Sequence, residues 1–282
     1  MKKPIIALDV DNTLFNWVDT IVPAIREMIF EASNITGLNF DHIVNSLQKE
    51  NRKRHSVEHP YTLAETDIMK AYYQGASFKH IKDNLMPAFE AFNVVRQSGL
   101  RPYPGVVEFL SKACSEFSLV AYTESHVLGT SYRLQKLDLE KYFSKVYCGD
   151  IHADDEEKAR FGRVLSGLDG GKYSLLDSTL RKPSPHVLGR ISKDSESKII
   201  VYVGDSLYKD VSMANYSQVR SAWAKYGTHH KQENSDFLIR ISHWGPAEIE
   251  EFKAQSRRPP PIPDLILEHS LCELEELLLD YA

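Results

Sequence analysis

The chain opens on a short continuous apolar run, Ile5 to Leu8, that stops at Asp9-Val10-Asp11. Apolar character without alternation predicts a strand covered on both faces, as in a parallel sheet. The same shape recurs twice: Phe117 to Tyr122 runs into Thr123-Glu124-Ser125, and Ile199 to Val203 runs into Gly204-Asp205-Ser206. Lys145 to Cys148 and Val219 to Ala224 are weaker strands of the same kind. Between them the spacing turns helical over Gly105 to Ser115, Leu128 to Leu137, Pro185 to Ile191 and Asp210 to Tyr216. Alternating strand and helix predicts a doubly wound α/β domain. Ligands in such sheets bind beyond the carboxyl ends of the strands, where the polar residues of this chain fall.

The alternation is interrupted between Leu14 and Gly99, which predict helices over Asp19 to Ala32, Asp41 to Lys49, Leu63 to Gln74 and Ser77 to Val95. Asp19 and Asp41 are candidate helix caps. The segment is too long for a connection, so residues 14–99 are read as an inserted helical cap domain and residues 1–13 with 100–256 as the core. Arg101-Pro102-Tyr103-Pro104-Gly105 marks the return to the core. A second insertion, Asp150 to Arg181, holds the charged run Asp154 to Lys158 and the glycine-rich piece Gly167 to Gly171. These are read as a solvated face and a turn, because no Lys-Ser or Lys-Thr follows in phosphate-loop spacing. Arg257 to Pro263 is an extended Pro-rich linker. Ser270 to Tyr281 is a helical tail with Leu271, Leu274, Leu277, Leu278 and Tyr281 on one face and a capping box, Ser270 with Glu273. The tail is expected to pack on its own core, with a homodimer contact as the alternative.

Composition narrows the partners. With 282 residues and a formal net charge of −5, the chain has no global basic field to draw it to nucleic acid. No stretch approaches the ~20 apolar residues of a membrane span. Three widely spaced cysteines, Cys114, Cys148 and Cys272, make neither a disulfide framework nor a zinc motif. Nothing at the start reads as a signal peptide, so a cytoplasmic location is expected.

The chemistry gathers at the strand ends. Asp9 and Asp11 stand two apart where a strand leaves the sheet. One carboxylate can attack phosphorus and the other can handle the leaving-group proton. Alone, such a pair reads equally as caps or solvated turns. The Thr123 hydroxyl can bond a phosphoryl oxygen or cap the next helix. Asp205 and Asp210 add two more carboxylates, and Mg²⁺ takes hard oxygen ligands of this kind, so Asp9 and Asp205 are its candidate ligands. Asp210 can equally cap the following helix. Lys182, in Arg181-Lys182-Pro183-Ser184-Pro185, offers a compact positive charge to offset repulsion between a carboxylate nucleophile and a phosphate.

Taken together, Asp9-Val10-Asp11-Asn12-Thr13, Thr123 after an apolar strand, Lys182-Pro183, and Gly204-Asp205-Ser206 with Asp210 resemble the four motifs of the haloacid dehalogenase-like superfamily. The resemblance spans Asp9 to Asp210 and leaves the helical insertion and the tail uncovered. It implies a Rossmann-like core with a helical cap and a phosphatase acting through an aspartyl-phosphate. Asp9 would be the nucleophile and Asp11 the general acid, later the base. Thr123 and Lys182 would bind the phosphoryl group. Mg²⁺ would sit between the Asp9 carboxylate, the Asp11 main-chain carbonyl and Asp205. Thr13, Ser206 and Asp210 would support the site. The expected partner is a small phosphorylated substrate. A phosphomutase using the same nucleophile and a catalytically silent binding or scaffold protein are the alternatives. Selectivity is expected from the cap, where Arg52, Lys53, Arg54, His55, Tyr61, Tyr72 and Tyr73 lie. Its basic run is either a reader of a second anionic group or a solvated face.

Overall fold

A computed structural model describes residues 2–149, 171–177, 179–255 and 257–279. The charged run Asp154 to Lys158, most of the glycine-rich piece and Tyr281 lie outside the described residues; Gly171 stands in a turn. Two compact units divide the chain. One comprises Met1–Asn16, Arg101–His229 and Arg258–Ala282, the other Trp17–Leu100 and His230–Arg257.

The first unit is built on a parallel sheet of seven strands: β1 (Ile5–Leu8), β2 (Ser118–His126), β3 (Lys145–Gly149), β4 (Tyr173–Leu176), β5 (Ile199–Gly204), β6 (Arg220–Ala224) and β7 (Leu265–Leu267). Their order is β4-β3-β2-β1-β5-β6-β7, so the winding reverses around β1, where open α/β sheets place their ligands. All four residues of β1 are fully buried, as expected for the centre of a parallel sheet. Leu8 is level with Ala121 of β2 and Val203 of β5. That register carries the residues beyond three strands to one edge. The five strands expected from the apolar runs are present. β4 and β7 are additions, and both are short edge strands. The second follows the Pro-rich segment, whose prolines lack the N–H that a central strand needs. The tail is a short 3-10 turn, Leu271–Leu274, and a single helical turn, Glu275–Leu278, rather than one long helix. Leu271 and Leu274 are fully buried within this unit.

The second unit is helical: Val18–Thr36, Phe40–Arg54, Asp67–Tyr72, Phe78–Asn84, Met86–Gly99, Gln232–Ile241 and Pro246–Gln255. The last two lie in residues that the sequence assigned to the core. For Gln232–Ile241 the reason is packing: Phe237 and Ile241 are buried in one cluster with Ile25, Ile29, Leu47, Phe89 and Phe92, whereas Pro246–Gln255 buries no residue. The stretch read as one helix from Ser77 to Val95 is two helices broken at Leu85, because Pro87 sits in the first turn of the second. Leu63 to Gln74 likewise divides at Thr66 into a 3-10 turn, Pro60–Glu65, and a short helix.

Neither aspartate proposed as a cap serves as one. Asn39 caps Phe40–Arg54 by accepting from the N–H groups of Asp41 and His42, and Asp41 pairs with Arg240 at 2.7 Å. Asp19 lies within its helix and accepts from the Asn234 amide at 2.8 Å. The basic run is also committed inside its own unit. Arg52 donates to the Trp244 carbonyl at 3.2 Å, Lys53 pairs with Glu50 at 2.6 Å and Arg54 with Glu65 at 2.6 Å. Of the aromatic candidates, Tyr61 packs edge-on against Phe89, and Tyr72 edge-on against Tyr73. Truncating Phe237 to Ala removes a ring that is 3% exposed, and a denaturant melt should show a loss of about 3–5 kcal/mol. A loss below ~1 kcal/mol would contradict membership of residues 230–257 in the helical core.

Candidate active site

The loop after β1 is closed by its own backbone. The Leu14 N–H donates to the Val10 carbonyl at 2.9 Å and the Asn12 N–H to the Phe15 carbonyl at 2.9 Å. Asn12 takes a left-handed φ of 57°, which lets the chain coil as it leaves the sheet. Val10 turns into the core and is fully buried. The two acidic side chains of the loop enter separate environments.

Asp9 is 4% exposed. Thr13 donates to its Oδ2 at 3.2 Å, and the Lys182 ammonium contacts its Oδ1. Lys182 also reaches Asp210 Oδ1 at 2.7 Å, and its side chain is 5% exposed. Asp210 accepts from Tyr202 at 3.1 Å and from the Ser206 N–H at 2.9 Å. It therefore holds the lysine rather than capping a helix. The cap is Ser206, whose Oγ accepts from the Lys209 N–H at 3.3 Å. The rings of Tyr122 and Tyr202 stand 5.1 Å and 5.8 Å from the ammonium, within cation–π range.

Asp11 faces other partners. Its Oδ2 accepts from Thr123 at 3.0 Å and from Ser125 at 2.7 Å, and its Oδ1 lies 3.2 Å from Arg133 Nη2. Thr123 lies within β2 and does not cap the helix that follows, which begins after His126.

Asp9, Asp205 and Asp210 each bring a carboxylate oxygen within 4.8 Å of the others. Burial pushes the Asp9 carboxyl well above the usual range; Lys182 works against the shift, while Asp210 and Asp205 add to it. Loss of solvation and the Asp210 charge raise Asp205 to about 7. Burial works against the charge on Lys182, but Asp210 and Asp9 outweigh it and hold the ammonium well above the ordinary lysine range. One buried ammonium thus faces three carboxylates, an electron-rich oxygen set of the kind Mg²⁺ requires. The Asp11 carboxylate is not among the three.

Two glycines make the arrangement sterically feasible. A Cβ on Gly204 would lie 2.3 Å from Asp210 Cγ, and one on Gly227 would lie 1.7 Å from the Asn12 carbonyl oxygen. The loops are tied further by Tyr226, which donates to the Thr13 carbonyl at 2.8 Å, and Trp223, which donates to the Asp205 carbonyl at 2.8 Å.

The catalytic, phosphate-binding, metal and supporting candidates lie at this edge, in two clusters, whereas the selectivity candidates from Arg52 to Tyr73 lie in the helical unit. Asp9, Thr13, Lys182, Asp205, Ser206 and Asp210 form one, and Asp11 with Thr123 the other. Sequence reasoning missed Glu124, Ser125, Arg133 and Tyr202. Glu124 accepts the Lys182 backbone N–H at 3.0 Å and pairs with Lys209 at 2.9 Å, which fixes the lysine loop from behind. Glu124 and Ser125 stood directly after Thr123 and could have been found there. Arg133 and Tyr202 sit inside apolar helical and strand patterns and gave no separate signal.

Residues 4–217 match the family model for haloacid dehalogenase-like hydrolases. A phosphoglycolate phosphatase from Agrobacterium fabrum is 23% identical over 233 residues, covering 80% of this chain and 82% of its own. The fold is similar to that of a 2-haloacid dehalogenase from Pseudomonas syringae, with TM-score 0.57, 17% identity and full coverage of both chains. It is also similar to a Bacillus subtilis structure assigned to the haloacid dehalogenase-like hydrolases and bound to magnesium, with TM-score 0.51, 16% identity and 99% of each chain covered. No helix among the described residues is long and apolar enough to cross a membrane.

The acidic cluster predicts an inverted pH dependence of stability in chelator. The Asp205 carboxyl at about 7 when folded lies above its unfolded value, so its contribution is complete below the unfolded pKa and is lost as pH rises through about 7. Thermal melts in chelator should therefore fall in midpoint from about pH 5 to pH 8, and Asp205→Asn should flatten the fall. Millimolar Mg²⁺ should raise the midpoint most at pH 8. A midpoint that is insensitive to both pH and Mg²⁺ would contradict the assignment.

Proposed function

The chain belongs to the haloacid dehalogenase-like hydrolase family, and within it we propose a magnesium-dependent phosphomonoester hydrolase that works through a phosphoryl group carried on Asp9. The observation that carries this reading is the division of labour between two carboxylates on one loop. Asp9 is buried against Lys182, whereas Asp11 is gripped by Thr123, Ser125 and Arg133. Carboxyl groups placed in contrasting surroundings are suited to different tasks.

In the proposed reaction an Asp9 carboxylate oxygen bonds to phosphorus and the bond to the ester oxygen breaks. The electron pair left on that oxygen takes the Asp11 proton, and the alcohol departs. Water then attacks phosphorus, Asp11 accepts its proton, and the bond to Asp9 breaks to release phosphate and restore both carboxyls. The Lys182 ammonium binds the phosphoryl oxygens, and the Thr123 hydroxyl, which donates to Asp11 here, would turn its single proton to them when substrate enters. Asp9, Asp205 and the Asp11 main-chain carbonyl would hold Mg²⁺, with Asp210 in support. When bound, the ion reduces repulsion between the nucleophile and the phosphate. Because haloacid displacement needs no leaving-group proton, the hydrogen-bonded Asp11 favours a phosphate ester. The Agrobacterium relative supports the same choice. The proposed substrate is a small phosphorylated metabolite.

Purified protein should release phosphate from 4-nitrophenyl phosphate with Mg²⁺ and lose that activity in excess chelator. Asp9→Asn should remain folded by circular dichroism and fall to background. Full activity in Asp9→Asn would overturn the assignment of the nucleophile. Isomerised ester without net phosphate release would indicate a mutase instead.

A further inference from the structure

Arg133 lies on the helix Val127–Lys136 and is 7% exposed. Its Nη2 stands 3.2 Å from Asp11 Oδ1, and its guanidinium lies over the Phe15 ring with the centroid 5.7 Å away. Two hydroxyls from β2, Thr123 at 3.0 Å and Ser125 at 2.7 Å, hold the other oxygen of the same carboxylate. Asp11 therefore has its own cation, separate from the lysine serving Asp9. A guanidinium buried beside an apolar ring is an expensive way to stabilise a fold, since such pairs are often replaceable by apolar residues without loss. What it supplies is an attraction on one oxygen. The guanidinium stands in ion-pair range of Oδ1 without a hydrogen bond between them, and the two hydroxyls that donate to Oδ2 set the orientation of the carboxylate.

We propose that Arg133 is a positioning residue that fixes the Asp11 carboxyl for proton delivery to the leaving group. This rests on the phosphatase reading above. In the first half-reaction the phosphorus–oxygen bond breaks and the electron pair on the departing oxygen takes the Asp11 proton. An alkoxide needs that proton. A 4-nitrophenolate is stable enough to leave without it. In this first step Arg133 matters for alkyl esters and little for activated aryl esters; in the second step, where Asp11 takes the proton of water, it matters equally for both.

The test compares wild type, Arg133→Met and Ser125→Ala on glycerol 2-phosphate and 4-nitrophenyl phosphate in saturating Mg²⁺. In single turnovers with enzyme in excess, Arg133→Met should slow ester cleavage of glycerol 2-phosphate by ~100-fold and leave the step that releases 4-nitrophenolate little changed, while steady-state turnover falls on both esters because Asp11 also serves as base in the second step. In an Asp11→Asn background Arg133→Met should have no further effect on the alkyl ester, because it acts through the missing group. Ser125→Ala removes one hydroxyl of the same grip and should show the same split at ~10-fold, which decides the matter should Arg133→Met not fold. Equal losses in the single-turnover cleavage of both esters, or a further loss in the Asp11→Asn background, would overturn the inference while leaving the phosphatase reading intact. Wild type that hydrolysed only the aryl ester would also overturn it. Wild type that hydrolysed neither would overturn both, as there would be no leaving-group proton to place.

Discussion

The Lys182 ammonium, pressed between Asp9 and Asp210 with almost no exposure to solvent, is the interaction on which the rest of the edge depends. Ionised groups removed from water cost several kcal/mol each unless they are paired. Burial first, and then the nearness of the other carboxylates, raises the Asp9 and Asp205 carboxyls, and one ammonium does not offset both. The surrounding groups make sense as devices for living with that excess. Tyr202 donates to Asp210, Tyr122 and Tyr202 turn ring faces toward the ammonium, and Glu124 anchors the lysine backbone. An edge charged in this way is poised for a small hard cation and a phosphate, which bring opposite charges to the same place.

The scaffold meets the demand through register and close approach. Because β1 is level with β2 and β5, side chains from three distant parts of the chain arrive at one edge without long arms. The final approach depends on glycine, since a methyl group on Gly204 would occupy the place of the Asp210 carboxylate. Hydrogen bonds from Tyr226 and Trp223 to the carbonyls of Thr13 and Asp205 then tie the loops after β1 and β5 to the end of β6. These contacts lie on rigid strand ends, where small misplacements are resisted by a packed core.

Much of this was legible in the chain. Continuous apolar runs ending in polar residues announce buried strands and their functional edge together, which is why β1, β2 and β5 and their acidic termini stood out. Edge strands carry a weaker signal: Leu265–Leu267 is only three residues long and follows a Pro-rich run that reads as a linker. The membership of Gln232–Ile241 in the helical unit was illegible because it rests on Phe237 meeting residues some two hundred positions earlier in the chain, and no local pattern encodes that contact. Arg133 was hidden for the same reason, since its partner Asp11 lies across the fold. Asp19 and Asp41 show the opposite error. Both are good capping residues by type, but Asn39 stood better placed for one helix, and the Asn234 amide engages the other.

In the proposed reaction phosphate is carried for a time on the Asp9 side chain. This is tested most directly by acid-quenching a single turnover of a phosphate ester within milliseconds and mapping the covalent phosphoryl group by peptide mass spectrometry. The account predicts an acid-stable, hydroxylamine-labile phosphoryl on the peptide containing Asp9, absent when Asp9 is replaced by Asn. Full turnover with no phosphoryl-enzyme at any quench time, or a phosphoryl group on another residue, would contradict it.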